Sequence, residues 1–180
     1  ISRHANTAMV VKTICMLLLY FTPLITLLFF AETKLVEFIC WIVMGFGMAG
    51  IGLSVMHDAN HGAYSKNERV NQWVGYVLFF LGGSDVNWRI QHNVLHHTYT
   101  NVSSHDEDIK DRAIMKFNPH SKRKSVQQFQ HFYAFFFYGL ITIYWVLAKD
   151  LVQYILFKKI GMNKNTPAQN FQLLFKISLM

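Results

Sequence analysis

The chain is short of most things that mark a soluble domain. Charged residues fill 15% of its 180 positions, against about 25% in an ordinary globular domain. Acidic residues are the scarcer sign: 10 Asp and Glu stand against 17 Lys and Arg, a formal net charge of +7. There are 2 cysteines, Cys15 and Cys40, both inside apolar runs. That excludes a disulfide scaffold and a cysteine-ligated metal site, and both read as small hydrophobes. Proline occurs 3 times, and no internal repeat or low-complexity segment is present. What is abundant is apolar. Hydrophobic residues make up 52%, Phe alone occurs 16 times, and the mean hydropathy is +0.21. This composition excludes intrinsic disorder. On so apolar a chain the excess of basic charge reads as a face toward a membrane surface, and no nucleic-acid partner is expected.

Apolar runs long enough to span a bilayer occur at residues 9–30 and 36–56, the second with 19 uncharged positions from Phe38 to Met56. A span needs about 20 apolar residues as a helix. Pro23 sits inside the first run, which a membrane helix tolerates. The short link between the runs forces an antiparallel hairpin. Lys and Arg gather on the side of the N-terminus and of the segment after Met56, so the positive-inside rule places that side in the cytoplasm. Gly45, Gly47 and Gly50 match a G-x-G-x-x-G pattern, but mid-span they suit close helix packing better than dinucleotide binding.

Residues 57–130 are expected to form a cytoplasmic region, with an interfacial or re-entrant stretch at 73–83 that is too short to cross. Residues 131–159 form a further apolar region with basic residues on both flanks, which favours a helix lying on the membrane over one crossing it. Residues 170–180 read as the opening of another span. The expected fold is an all-α membrane protein: a transmembrane helix hairpin with a cytoplasmic and interfacial helical cap. The chain opens on Ile and closes inside an apolar run, as a fragment would.

Of 9 histidines, 5 lie between residues 57 and 97. His57 and His61 are one helical turn apart. His92 and His96 repeat that spacing, and His97 points about 100° away from His96 on an α-helix. Both clusters stand at cytoplasmic ends of apolar segments, where ionisable groups are costly and tend to be functional. Together they point to a metal site. All-nitrogen ligand sets suit Zn, Cu, Fe or Ni. A zinc-protease site needs Glu after the first His, and Asp58 stands there. A bis-histidine haem site uses fewer histidines than are present, whereas a two-iron oxygen-activating site uses many.

These residues resemble the first two histidine boxes of the membrane fatty acid desaturases. His57-x-x-x-His61 is followed by His92-x-x-x-His96-His97, with Asn87-Trp88-Arg89 before the second box and His105-Asp106-Glu107-Asp108 after it. Gln130-His131-x-Tyr133 extends the likeness, which is closest to the bacterial acyl-lipid or acyl-CoA and front-end groups. The resemblance implies an O2-dependent di-iron enzyme that places a C=C bond in an acyl lipid, acyl-CoA or acyl-ACP. Electrons would come from ferredoxin, flavodoxin or cytochrome b5. It implies two Fe ions held by His57, His61, His92, His96 and His97. Asp58, Asp106, Asp108 and His105 are candidates to support those ligands from behind, and Asp106 and Asp108 read equally well as a solvated loop. Trp88 and Arg89 are candidates for contact with the acyl chain and its head, or for packing and a lipid phosphate. The family's third box is missing from these residues, so the chain is expected to be an N-terminal fragment, inactive alone, of an integral membrane protein with its active site on the cytoplasmic side. A membrane hydroxylase or ketolase with the same irons is the nearest alternative, and a haem or metal-transport protein a more distant one.

Overall fold

The fold is taken from a computed structural model that describes residues 4–103, 105–111, 114–163 and 166–178. The described residues are helical, turn or irregular, with no strand among them. The chain forms two compact units, residues 1–81 and 82–180.

The first unit is built on a helical hairpin. Helix α1 spans Thr7–Phe29 and opens where the Asn6 side chain accepts from the Met9 amide at 3.0 Å. Pro23 lies within it and is buried. After a four-residue link, Thr33 caps α2, Lys34–Asn60, by accepting from the Val36 amide at 3.3 Å. The two helices touch along small residues. A Cβ added at Gly47 would lie 2.6 Å from the Tyr20 backbone nitrogen, and one at Gly50 would strike the Met16 side chain. Gly45, in contrast, faces open space. Close packing is therefore the use of Gly47 and Gly50, as membrane helices favour.

The outside of this hairpin is as apolar as a core. Leu53 is 80% exposed, and Leu28, Phe29, Phe38 and Phe46 are also bare. Such a surface is stable only against lipid, and both helices are long and apolar enough to cross a membrane. Near its far end α2 widens into a π-helical segment, Ile51–Val55, then resumes as Met56–Asn60. Gly62, at φ 69°, stops the helix directly after His61; the Ala63 amide then donates to the Asp58 carbonyl at 2.9 Å. Helix α3, Glu68–Gly75, and the 3-10 segment Tyr76–Leu81 follow. They are tied back to α1, for Tyr20 Oη donates to the Phe80 carbonyl at 3.0 Å and Phe21 meets the Phe80 ring edge-on. The expected short stretch at 73–83 is thus the end of α3 and a tight helical segment.

In the second unit, helix α4 covers residues 85–96, an α-helical Asp85–Arg89 followed by a π-helical Ile90–His96. Helix α5 runs Ser125–Lys159 with a 3-10 opening and a π-helical segment at Trp145–Lys149. It too has the length and composition to cross a membrane. Ile90 and Leu95 of α4 pack with Phe157 of α5, which is 0% exposed. Helix α6, Pro167–Ser178, begins on its proline, where a missing amide proton costs nothing. The final two positions of the expected 170–180 segment lie outside the described residues.

A buried ion pair fastens these helices. Lys176 of α6 reaches the Asp150 carboxylate at 2.6 Å and also donates to the Trp145 carbonyl at 3.0 Å and to the Gly82 carbonyl. Asn87 Nδ2 donates to the Asp150 carbonyl at 2.9 Å.

The connection between α4 and α5 has its own clamp. Asp111 Oδ1 accepts from the Phe117 amide at 2.7 Å and the Asn118 amide at 2.9 Å. The Asn118 bond first, then a Ser121 bond, holds its carboxyl below the usual carboxylate range. A lowered pKa contributes stability that is present above the ordinary value of about 3.9 and is lost as pH falls through the folded-state value. In Asp111→Ala, hydrogen-exchange protection of the Phe117 and Asn118 amides should therefore drop at neutral pH, and the gap to the parent should narrow in acid. A gap that stays constant across that range would show the carboxylate charge contributes nothing.

Candidate metal centre

The first unit carries His57 on the last turn of α2 and His61 directly after it, as the helix cap. Their rings meet edge-on with centroids 4.5 Å apart. Asp58 Oδ1 lies 3.5 Å from His57 Nδ1. The one-turn spacing read from the sequence therefore produces a real imidazole pair, with the expected carboxylate beside it.

The second unit carries the other three. His92 and His96 stack nearly parallel, centroids 5.2 Å apart, and His97 stands edge-on to both at 4.9 and 5.5 Å. All three come from or adjoin the π-helical segment of α4, whose wider turn differs from the α-helical spacing assumed above. π-helical turns are frequent at functional sites. Trp88 stacks on His92 at 4.5 Å. Arg89 pairs with the buried Asp85 one turn back.

The carboxylates after the second box are part of this arrangement. Asp106 is 1% exposed. Its Oδ1 accepts a hydrogen bond from His96 Nδ1 at 3.0 Å and another from the Asp108 amide at 3.0 Å. Its Oδ2 takes the amide of Asn101 at 2.9 Å. Asn101 sits at φ 65°, a left-handed position that Asn tolerates better than most residues. Burial alone would push the Asp106 carboxyl up. The bonds from His96, Asn101 and Asp108 outweigh it and hold the group below the usual carboxylate range. Asp108 Oδ2 lies 3.4 Å from His96 Nδ1 and 3.5 Å from His92 Nδ1. His105 is exposed and its ring lies against Tyr99 at 4.8 Å.

This donor set fits a metal. His96, Asp106 and Asp108 each offer a ligand atom within 4.8 Å of the others. Both oxygens of Asp106 are already engaged by protein donors, so it suits an orienting role. With Nδ1–H of His96 given to a carboxylate, the Nε2 lone pair is left outward and made more basic, as carboxylate–histidine–metal groupings do.

Beside this cluster the second unit holds a cavity of about 690 Å3. One part of its wall is apolar, with Ile114, Met115, Leu140, Ile141, Trp145 and Leu156, and another is polar, with Gln91, Glu107, Asp108, Lys110, Lys149 and Gln153.

The fatty acid desaturase profile matches residues 32–180. The chain belongs to the fatty acid desaturase family. Relatives within it include the sn-1 linoleoyl-lipid 6-desaturase of Arthrospira platensis, 35% identical over 88% of this chain and 43% of that protein. The enzyme of the same name from Synechocystis sp. is 34% identical over 82% of this chain and 41% of its own length. The acyl-lipid (8-3)-desaturase of Physcomitrium patens is 31% identical over 86% of this chain and 32% of its own. The chain thus spans less than half the length of these relatives. No solved structure matches it. As a desaturase-family chain it is a helical membrane protein, and its histidine clusters accord with the iron that the family implies.

Two features of this histidine cluster are not legible in the sequence. Gln91 Nε2 donates to Asp108 Oδ1 at 2.6 Å, and Gln153 donates to Gln91 Oε1. Gln91 directly precedes His92, a place where a supporting residue is worth seeking. Gln153 is 62 positions further along, and nothing local marks it.

Proposed function

We propose that the chain is the part of an O2-dependent acyl-lipid desaturase that carries the first two histidine boxes. His57, His61, His92, His96 and His97 hold two iron ions as neutral imidazoles. Iron with O2 supplies the oxidant for removing hydrogen from an unactivated methylene, which no side-chain acid or base can do. The chain's own residues supply position. Asp58 orients His57, and Asp106 and Asp108 fix the tautomers of His96 and His92 so that Nε2 faces the metal. The observation that carries this reading is the bond from His96 Nδ1 to the buried Asp106 at 3.0 Å.

The apolar part of the cavity receives the acyl chain and keeps water away from the oxidising centre. Trp88 holds the His92 ring from its open face. The active site faces the cytoplasm, and α5 lies along that face of the membrane, for exposed Lys122, Arg123 and Lys124 precede it and Lys158 and Lys159 close it. The same basic face suits an acidic electron carrier such as ferredoxin, flavodoxin or cytochrome b5, and anionic lipid headgroups. The substrate is an acyl group borne on lipid, CoA or acyl carrier protein.

The complete reading frame, expressed in cells that lack the product, should yield a fatty acid with one additional double bond. Gas chromatography with mass spectrometry of total acyl chains reads this directly. A new hydroxy acid with no new double bond would identify a hydroxylase and overturn the desaturase reading.

A further inference from the structure

Asp108 is asked to do more than its own anchorage allows. It lies in a three-residue 3-10 turn, Glu107–Ile109, and its side chain is about a third exposed. One oxygen, Oδ2, is shared between the Nδ1 atoms of His92 and His96 at 3.5 and 3.4 Å. A carboxylate on so short a turn is free to rotate about its own Cα–Cβ and Cβ–Cγ bonds, and each rotation would take it from His92 and remove the second contact of His96, whose first is Asp106. Something has to hold the other oxygen.

Gln91 does so. Its Nε2 donates to Asp108 Oδ1 at 2.6 Å, which leaves Oδ2 turned to the two imidazoles. Gln91 is itself held: its Oε1 accepts from Nε2 of Gln153 on α5. Gln153 is 9% exposed and one turn from Phe157, the most buried side chain between α4 and α5. Asp108 can only accept, so Nε2 is the end of the Gln91 amide that faces it, and the bond from Gln153 to the remaining Oε1 holds the amide from its other side. The contacts form one connected series: Gln153 donates to Gln91 and Gln91 to Asp108, whose other oxygen faces the Nδ1 atoms of His92 and His96. Its origin is the packed wall of the second unit.

We infer that Gln91, held by Gln153, is a positioning residue that steadies His92 and, together with Asp106, His96 through the single carboxylate of Asp108. This rests on the iron reading of the histidine boxes given above. Outer-shell partners of metal-bound histidines are worth about 10- to 100-fold in metal affinity, and Gln91 should fall in that range because the carboxylate it holds faces two of the ligands. Gln153 acts only through Gln91.

The test is iron(II) affinity of the complete purified protein, measured by competition with a chromophoric chelator, for the parent, Gln91→Met, Gln153→Leu and the double variant. Gln91→Met should weaken iron binding about 10- to 100-fold. Gln153→Leu should weaken it less, and the double variant should be no weaker than Gln91→Met alone, because the two act in series. The ligand-field spectrum of the cobalt(II)-loaded protein should shift in both single variants, which a residue of purely structural value would not cause. Should Gln91→Met fail to fold, Gln153→Leu, away from the ligands, still gives the spectral readout. Parent-like affinity and spectrum in the single variants, or losses that multiply in the double variant, would overturn the inference while leaving the iron reading intact. A parent protein that binds no iron would overturn both.

Discussion

His96→Ala should abolish desaturation in the complete protein while leaving its amount and its membrane insertion unchanged. His96 is tied to its surroundings through Asp106 at 3.0 Å and Asp108 at 3.4 Å. Under the proposed function it is a metal ligand, and alanine has no lone pair to offer, so the expected loss is of all measurable turnover. The structural cost is smaller. Asp106 loses one of its three donors but keeps the backbone amides of Asn101 and Asp108. Losing one partner of a buried group costs about 1–3 kcal/mol, which a membrane-embedded fold with its hairpin untouched should withstand. Product analysis paired with immunoblotting of the membrane fraction separates the two effects. His120, exposed and outside both clusters, serves as the control, and His120→Ala should keep parent activity. Turnover retained in His96→Ala would remove the second box from the metal centre.

The largest effect on stability should come from Lys176→Met. Its ammonium holds the Asp150 carboxylate, and the two side chains are 11% and 5% exposed. Methionine fills the space of the lysine stem but leaves Asp150 buried beside the Trp145 and Gly82 carbonyls without its cation. Removing one partner of a buried pair costs about 3–5 kcal/mol, because the charge left behind has no compensation. Asn87 Nδ2 lies 3.4 Å from Asp150 Oδ1 and is too weak a donor to make up the difference. The expected result is a lower melting temperature in detergent and faster hydrogen exchange across Trp145–Lys149 and the start of α4. In Lys176→Met with Asp150→Leu, where no charge remains, much of that loss should be recovered. An unchanged melting temperature in Lys176→Met would mean that the ion pair does not hold the second unit together.

The sequence displayed the hairpin because a membrane reads composition more than detail. A span needs length and apolarity, and both are additive along a chain, so the two runs before His57 could be recognised without knowing what they touch. The first box was legible for a similar reason. Its two histidines sit on a regular helical turn, and i, i+4 spacing suffices to bring them face to face. The second box was legible only in part. Its residues stood out, but α4 is π-helical there, and the tight alternation of stacked and edge-on rings follows from that wider turn. Nothing in the local residue types announces a π-helical turn; Ile90 and Leu95 within it pack on Phe157 of α5, 60 or more positions away.

Asp106 shows the same division from another side. Its neighbourhood to the second box was visible, and a solvated loop was an equal reading. What decided for a buried orienting carboxylate is the left-handed Asn101 together with the path that the chain takes after His97, which turns Asp106 inward and His105 outward.

The sequence by itself determined that this is an apolar, basic, histidine-rich membrane chain of the desaturase type, because hydropathy, charge asymmetry and one-turn spacing are properties of neighbouring residues. Only the tertiary structure decided which carboxylate serves which histidine, that Gln91 and Gln153 stand behind Asp108, and that Lys176 is bound to Asp150. Those partners lie from 10 to 62 positions apart for the second histidine cluster and 26 for the ion pair. A hydrogen bond or a buried charge pair is made by direction and distance in space, and neither is written in the order of residues.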